Sequence, residues 1–120
     1  MFEVKVMSEF SAAHSLRHYK GKCEALHGHN WKVEIFVQGE ELDRAGMLED
    51  FTELKRALKM VLKKLDHKHL NSLVYFRRVN PTSEQIAAYI YRNLKRKMPH
   101  LKSVTVWESQ SSCATYYEKE

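Results

Sequence analysis

The segment Cys23-Glu24-Ala25-Leu26-His27-Gly28-His29-Asn30-Trp31 concentrates the chemically reactive residues of this chain. His27 and His29 are two residues apart, so on an extended strand their imidazoles project to the same side and can share one metal ion. Gly28 lets the backbone bend closely around such a site. A His-x-His pair is also common on the polar face of a sheet, so the pair alone does not establish a metal site.

His14 adds a third imidazole, at the end of the segment Phe10-Ser11-Ala12-Ala13-His14. Three histidines are the ligands of a catalytic zinc that keeps its fourth position open. Four potential ligands fall within residues 14–29 of a chain that has only seven His and two Cys, which favours a metal site. Cys23 as a fourth ligand would close the site, but structural zinc usually has more thiolate ligands. We therefore expect Cys23 to be a nucleophile or base beside the metal.

Length and composition predict one domain over residues 1–120. Two cysteines ninety residues apart, with no basic and apolar leader pattern, indicate a cytoplasmic protein rather than a disulfide scaffold. No apolar run approaches the roughly 20 residues that span a bilayer, so no membrane association is expected. The formal charge of +5 suggests an anionic partner, either nucleic acid or a phosphorylated small molecule. A basic, metal-stabilised nucleic-acid-binding protein is the alternative from another class, although the chain lacks exposed aromatics interleaved with Lys and Arg.

Hydrophobic periodicity predicts four strands and two helices in the order β-β-α-α-β-β. The predicted strands are Phe2 to His14, His29 to Val37, Ser103 to Trp107 and Cys113 to Glu118. Asp50, with Glu53 in a capping box, begins the first helix, and Thr82, with Gln85, begins the second, which Pro99 ends. This order predicts an α+β fold with an antiparallel four-stranded sheet and both helices on one face. Unpaired sheet edges further predict an oligomer in which the sheets of several subunits join into a barrel.

Three further groups have two interpretations each. Asp66 beside His67 at a helix end can hold the imidazole in one tautomer for proton transfer, or can simply end the helix. Glu108 has the strand parity of the apolar residues, so it either receives a ligand with two adjacent N–H donors or pairs with a helix cation. The basic loop 17–22 either contacts phosphate or is an ordinary surface loop. Cys113 is expected to be a small buried hydrophobe.

With these residues identified, the sequence resembles the 6-pyruvoyltetrahydropterin synthase family, and within it the bacterial 6-carboxy-5,6,7,8-tetrahydropterin synthases of queuosine biosynthesis. The motifs that carry the resemblance are Phe10-x-Ala12-Ala13-His14, Cys23-x-x-x-His27-Gly28-His29, Asp50-Phe51, Leu65-Asp66-His67, Pro81-Thr82-Ser83-Glu84 and Glu108. The resemblance implies the T-fold (tunnelling fold), a homohexamer built from two trimers, and active sites between subunits.

The resemblance also implies roles for individual residues. The metal ligands for Zn²⁺ are His14, His27 and His29, the catalytic groups are Cys23, Asp66 and His67, and the pterin-binding residues are Glu108, Thr82, Ser83 and Glu84. The implied lyase reaction converts 7,8-dihydroneopterin triphosphate to 6-carboxy-5,6,7,8-tetrahydropterin, with release of acetaldehyde and triphosphate. The three-residue spacing between Cys23 and His27 resembles the bacterial carboxy type rather than the animal pyruvoyl type. Glu24 is similar to a glutamate of relatives that cleave the dihydroneopterin side chain toward folate, so that activity stays an alternative.

Overall fold

A computed structural model describes residues 1–22 and 24–119, so Cys23 lies outside the described residues. Its centre is an antiparallel hairpin of two 13-residue strands, β1 (Phe2–His14) and β2 (His27–Gly39). The hairpin register runs without a shift from the Phe2–Gly39 pair to the His14–His27 pair. The inward parity of β1 therefore continues from Val6 and Phe10 to His14, as the alternating sequence predicts.

The sheet has one more strand than the sequence pattern predicts. Its order is β3-β1-β2-β4-β5, where β3 is Lys68–His69, β4 is Leu101–Trp107 and β5 is Cys113–Tyr116. The two-residue β3 pairs in parallel with β1 at Ala12 and Ala13, so the sheet is mixed rather than purely antiparallel. A two-residue strand is too short to show any periodicity, and this explains why the pattern missed it.

Both helices pack on the same face of the sheet, as expected. The first, α1 (Phe51–Leu62), contacts β1, and the second, α2 (Ser83–Lys95), contacts β4 and β5. Asp50 caps α1 by accepting from the Thr52 N–H at 2.8 Å. Glu53, however, pairs with Arg56 at 2.6 Å instead of completing a capping box. Thr82 caps α2 through the Gln85 N–H at 3.1 Å.

The end of α2 and the last strand differ in detail from the prediction. The helix stops at Lys95, four residues before Pro99, and the last strand stops at Tyr116 rather than Glu118. Cys113 is exposed at the start of the edge strand β5, on the parity that alternates with the partly buried Ala114 and Tyr116, so its expected burial is wrong. Among the described residues, no helix has the length and apolar composition that crossing a membrane requires.

The hydrophobic core lies between the helices and the inward face of the sheet. Trp31, Val33, Ile35 and Val37 of β2 are fully buried there. The alternation continues beyond Trp31, toward the end of the hairpin, with His29 and His27. Consequently the same sheet face that is apolar along most of its length ends in imidazoles.

Candidate functional site

The structure brings the three predicted metal-ligating histidines together at the end of the β1–β2 hairpin. His14 lies directly opposite His27, and His29 lies opposite Ala12. One ligand nitrogen from each of the three rings lies within 4.8 Å of the others, and the ring centroids are 4.7–5.2 Å apart. We call His14, His27 and His29 the histidine cluster.

The side of the cluster toward the core is closed by Trp31. Its indole ring centroid lies 4.8 Å from that of His14 and 5.2 Å from that of His29. The indole N–H donates to the Ala12 carbonyl at 3.2 Å, so this ring is held in place from below. A fixed apolar floor of this kind excludes water from one side of the imidazoles.

Backbone carbonyls orient two of the three rings, those of His14 and His27. The Nδ1–H of His14 donates to the Pro81 carbonyl at 2.7 Å, and the Nδ1–H of His27 donates to the Ala25 carbonyl at 2.9 Å. Because a carbonyl only accepts, both rings carry their proton on Nδ1 and present the lone pair of Nε2. This arrangement of an oriented imidazole with a carbonyl behind it is typical of metal ligands.

The electrostatics of the cluster also fit a cation. The Nε2 atoms of His14 and His29 are buried and have no hydrogen-bond partner among the described residues. Burial lowers the pKa of His14 and the nearby His27 lowers it further, against the hydrogen bond to Pro81, which raises it. His14 is therefore neutral at neutral pH, as a metal ligand must be. Buried acceptors without a donor are costly, and a cation bound between them removes that cost.

Glu108 approaches the cluster from the end of β4. Its Oε2 lies 3.7 Å from the Nε2 of His14, and its side chain is 39% exposed. Within the described chain no helix cation pairs with Glu108, so that interpretation is wrong, and its role in receiving a ligand stays a prediction. The carboxylate is thus positioned between the histidine cluster and open solvent, where a bound molecule can reach it.

A cavity of about 600 Å³ opens beside Glu108, and we call it the histidine-side cavity. Thr82, Ser83 and Glu84 at the start of α2 line it, together with the loop 16–20 and residues 112–114. The volume is within the range of small-molecule sites. Four of the residues that the sequence singles out for substrate binding therefore share one cavity.

The basic loop after β1 is partly structural. The Arg17 guanidinium donates to the carbonyls of Asn71, Phe76 and Val79, while the Arg17 backbone exchanges two hydrogen bonds with the Asn80 side chain, at 2.8 and 2.9 Å. Arg17 is therefore committed to holding the chain together. The sequence did not reveal the role of Asn80, because an Asn before a Pro indicates only a turn.

Glu24 also lies at the cluster. Its N–H donates to the Leu16 carbonyl at 2.9 Å, and its Oε1 accepts from the Leu16 N–H at 3.2 Å. The same Oε1 is 3.7 Å from the Nδ1 of His27. The catalytic role expected of Cys23 falls outside the described residues and stays a prediction.

Asp66 and His67 lie elsewhere on the chain. The Asp66 carboxylate accepts from the Ser11 N–H at 2.9 Å and contacts the Nδ1 of His67 at 3.0 Å. The Ser11 hydrogen bond, opposed by desolvation and aided by His67, lowers the pKa of Asp66. Asp66 lines a second cavity, along α1, that shares no lining residue with the histidine-side cavity. Asp66 and Glu108 thus line different cavities of one chain.

Comparisons with known proteins place the chain in a family. A sequence model of the family described as 6-pyruvoyl tetrahydropterin synthase matches residues 3–119. The 6-carboxy-5,6,7,8-tetrahydropterin synthase of Synechocystis sp. is 40% identical, over 90% of this chain and 87% of its own. The dihydroneopterin monophosphate aldolase of Pyrococcus furiosus is 36% identical, over 84% of each chain.

The fold has solved counterparts as well. The structure of Caenorhabditis elegans 6-pyruvoyl tetrahydropterin synthase superposes with a TM-score of 0.86 at 28% identity, covering 98% of this chain and 96% of its own. The architecture described above is therefore the T-fold of these enzymes. The relatives differ in the product that their names state, although they share the sequence pattern and the architecture.

Proposed function

Because this chain belongs to the 6-pyruvoyl tetrahydropterin synthase family, we propose that it is the zinc-dependent lyase that makes 6-carboxy-5,6,7,8-tetrahydropterin for queuosine and 7-deazapurine biosynthesis. Its substrates are 7,8-dihydroneopterin triphosphate and water, and acetaldehyde and triphosphate leave. The observation that carries the proposal is the histidine cluster, whose three ligand nitrogens lie within 4.8 Å of one another and two of whose rings are oriented by backbone carbonyls. Glu108, 3.7 Å from His14, lines a neighbouring cavity of small-molecule size. A cytoplasmic compartment suits it, because a catalytic thiol stays reduced there.

The histidine cluster would hold the zinc ion. Three neutral imidazoles leave one position open, and a zinc ion bound in this way polarises an oxygen ligand as a Lewis acid. The Pro81 and Ala25 carbonyls keep His14 and His27 in the ligating tautomer. The buried, unpartnered Nε2 atoms of His14 and His29 support this assignment without reference to any relative.

Glu108 would hold the pterin ring. A carboxylate accepts two parallel hydrogen bonds, and the ring presents two adjacent N–H donors. Thr82, Ser83 and Glu84 line the same cavity and would contact the ring edge. The partial exposure of Glu108 supports this role, because the carboxylate is accessible from the cavity while its Oε2 lies 3.7 Å from His14.

Cys23 and the Asp66–His67 pair would move protons on opposite sides of the reacting carbons. Asp66 lines the second cavity, along α1, whereas Glu108 lines the histidine-side cavity, so we propose that a second copy of the chain, within a homohexamer, brings the Asp66–His67 pair to the substrate. His67 supports the arrangement: its φ is +56°, its side chain is 82% exposed, and its N–H donates to Ser11 at 2.6 Å. A residue held rigidly in left-handed backbone and aimed at solvent is typical of a functional position.

Side-chain cleavage toward folate is the second candidate, and one observation favours it. The Glu24 carboxylate lies 3.7 Å from His27, close enough to act on a molecule at the histidine cluster, and the Pyrococcus furiosus relative is named an aldolase. A pyruvoyl-type product is the third outcome, since other relatives carry that name. All three outcomes use the same histidine cluster and cavity.

Product analysis tests the proposal. The zinc-loaded protein is incubated with 7,8-dihydroneopterin triphosphate, and the pterins and acetaldehyde are identified by chromatography and mass spectrometry. We expect 6-carboxytetrahydropterin with one acetaldehyde per turnover, and its loss in Cys23→Ala with zinc content unchanged. A dominant 6-pyruvoyl product, or 6-hydroxymethyldihydropterin whose formation disappears in Glu24→Gln, would assign one of the other two activities.

A further inference from the structure

Helix α1 presents a row of lysines that are not paired with carboxylates. Lys55 and Lys59 lie on the helix and Lys63 follows its last residue, so the three are spaced by four and share one face. None has a carboxylate oxygen within 4.0 Å in the described chain, whereas Arg56 of the same helix pairs with Glu53. Like charges four residues apart lower the stability of a helix. The requirements of folding alone therefore do not explain this row of lysines.

The three lysines and Asp66 line the same groove. This cavity of about 710 Å³ lies between α1 and β1, and we call it the α1 groove. It is lined by Ser8, Glu9, Thr52, Lys55, Arg56, Lys59, Met60, Leu62, Lys63 and Asp66. Four cationic side chains thus face two carboxylates, and the Asp66 carboxylate is already engaged by the Ser11 N–H and by His67. The α1 groove is therefore suited to an anion with several negative charges.

The histidine-side cavity has less positive charge to offer. Of its basic residues, Arg17 is committed to the three backbone carbonyls described above, which leaves Lys20 and His18. Two carboxylates, Glu84 and Glu108, face the same space. A substrate whose ring lies there and whose tail is a triphosphate needs additional cations near that tail.

We propose that the α1 groove binds the polyphosphate tail of a pterin substrate whose ring lies in the histidine-side cavity of a neighbouring copy. The inference rests on the proposed function, in which Asp66 and His67 reach that neighbour's substrate. Asp66 lines the α1 groove together with Lys55, Lys59 and Lys63. A copy that places its Asp66–His67 pair beside a neighbour's substrate therefore places these lysines near that substrate as well. Their ammonium groups neutralise the tail while the substrate binds and the triphosphate as it leaves.

Inorganic tripolyphosphate is the probe, measured by calorimetry and as a competitive inhibitor of the zinc-loaded protein at constant ionic strength. The test variant is Lys55→Gln/Lys59→Gln/Lys63→Gln. The matched control is Arg44→Gln/Arg96→Gln/Lys97→Gln, which removes three equally exposed charges outside the α1 groove. Melting temperature and zinc content verify that both variants fold. If the triple test variant does not fold, the single variant Lys59→Gln is used in its place.

We expect tripolyphosphate to bind the test variant about tenfold more weakly or worse, since one charge-assisted hydrogen bond is commonly worth a factor of ten. The control should stay within about twofold, and for Lys59→Gln alone we expect a smaller loss in the same direction. KM for the triphosphate substrate should rise with kcat nearly unchanged. The dissociation constant of 7,8-dihydroneopterin, which lacks the tail, should not change.

Equal weakening in the test and control variants, or unchanged tripolyphosphate binding in the test variant, would overturn the inference. Calorimetry needs no turnover, so it separates this inference from the proposed function. Suppose that the wild type makes no pterin product, but that tripolyphosphate binding is weakened by the α1-groove substitutions and not by the control substitutions. The anion site then stands and the proposed reaction fails. If turnover proceeds and KM is indifferent to the three lysines, the reaction stands and the inference fails.

Discussion

Inactive variants of two different parts of the site should restore each other's activity. Glu108 belongs to the histidine-side cavity and Asp66 to the α1 groove, and the two cavities share no lining residue. If each active site combines the first cavity of one copy with the second of its neighbour, Glu108→Ala and Asp66→Asn damage opposite halves. Mixed assemblies then contain some sites in which both halves are intact.

The size of the recovery follows from counting subunits. In a random equal mixture, half of the chains supply an intact Glu108 and half supply an intact Asp66, so about one quarter of the sites are complete. Each variant alone should have low activity: Asp66→Asn removes a proposed acid–base group, a loss that commonly costs ~10²–10⁴ in rate, and Glu108→Ala removes the carboxylate proposed to hold the pterin ring. We therefore expect about 25% of wild-type activity from the mixture, far above the sum of its parts.

The assay uses co-expression of the two variants with different affinity tags, followed by sequential purification on both tags so that only mixed assemblies remain. Pterin product formation is then measured per chain. The control pairs Glu108→Ala with His29→Ala, two changes in the half of the site contributed by the histidine cluster. Every chain in that mixture keeps an intact Asp66, but none has an intact histidine cluster together with an intact Glu108, so the mixture should stay inactive. Recovery in the control, or none in the test mixture, would refute the division of the site between copies.

Three further predictions concern single side chains. Without zinc, the protein should be most stable above the unfolded pKa of His14, about 6.5, and should lose stability as the pH falls below that value. The reason is that burial lowers the pKa of His14 in the folded protein, so the unfolded chain takes up the proton first. Melting temperatures measured between about pH 8 and 5 should show this dependence, and it should be weaker in His14→Gln. His29→Ala should abolish stoichiometric zinc binding while His69→Ala, an exposed control, retains one zinc per chain by metal analysis. Trp107→Phe should lower the free energy of unfolding, measured by urea denaturation, by ~1–3 kcal/mol, because the buried Glu34 carboxylate loses the indole N–H donor. A decrease below ~0.5 kcal/mol would mean that the ion pair with Lys5 alone satisfies that carboxylate.

The order of the elements and the histidine cluster could be predicted because both depend on local periodicity. An uninterrupted strand alternates its side chains, so the parity that buries Val6 and Phe10 also carries His14 to the same face. The N-caps at Asp50 and Thr82 could also be predicted from the sequence, since a cap involves residues only two or three positions apart. The capping box at Glu53 and the burial of Cys113 were wrong because the Arg56 pairing and the uncovered sheet edge compete with those local preferences.

By itself, then, the sequence determined which faces of which elements carry the imidazoles, the apolar core and the helix caps. Only the tertiary structure decided which distant groups meet: Pro81 behind His14, Glu108 in front of it, and Arg17 bound to the loop before α2. It also placed Asp66 against Ser11, in a cavity separate from that of Glu108. The physical reason is range: the direction of a side chain follows from its own backbone period, whereas contacts between residues more than fifty positions apart depend on how whole elements pack.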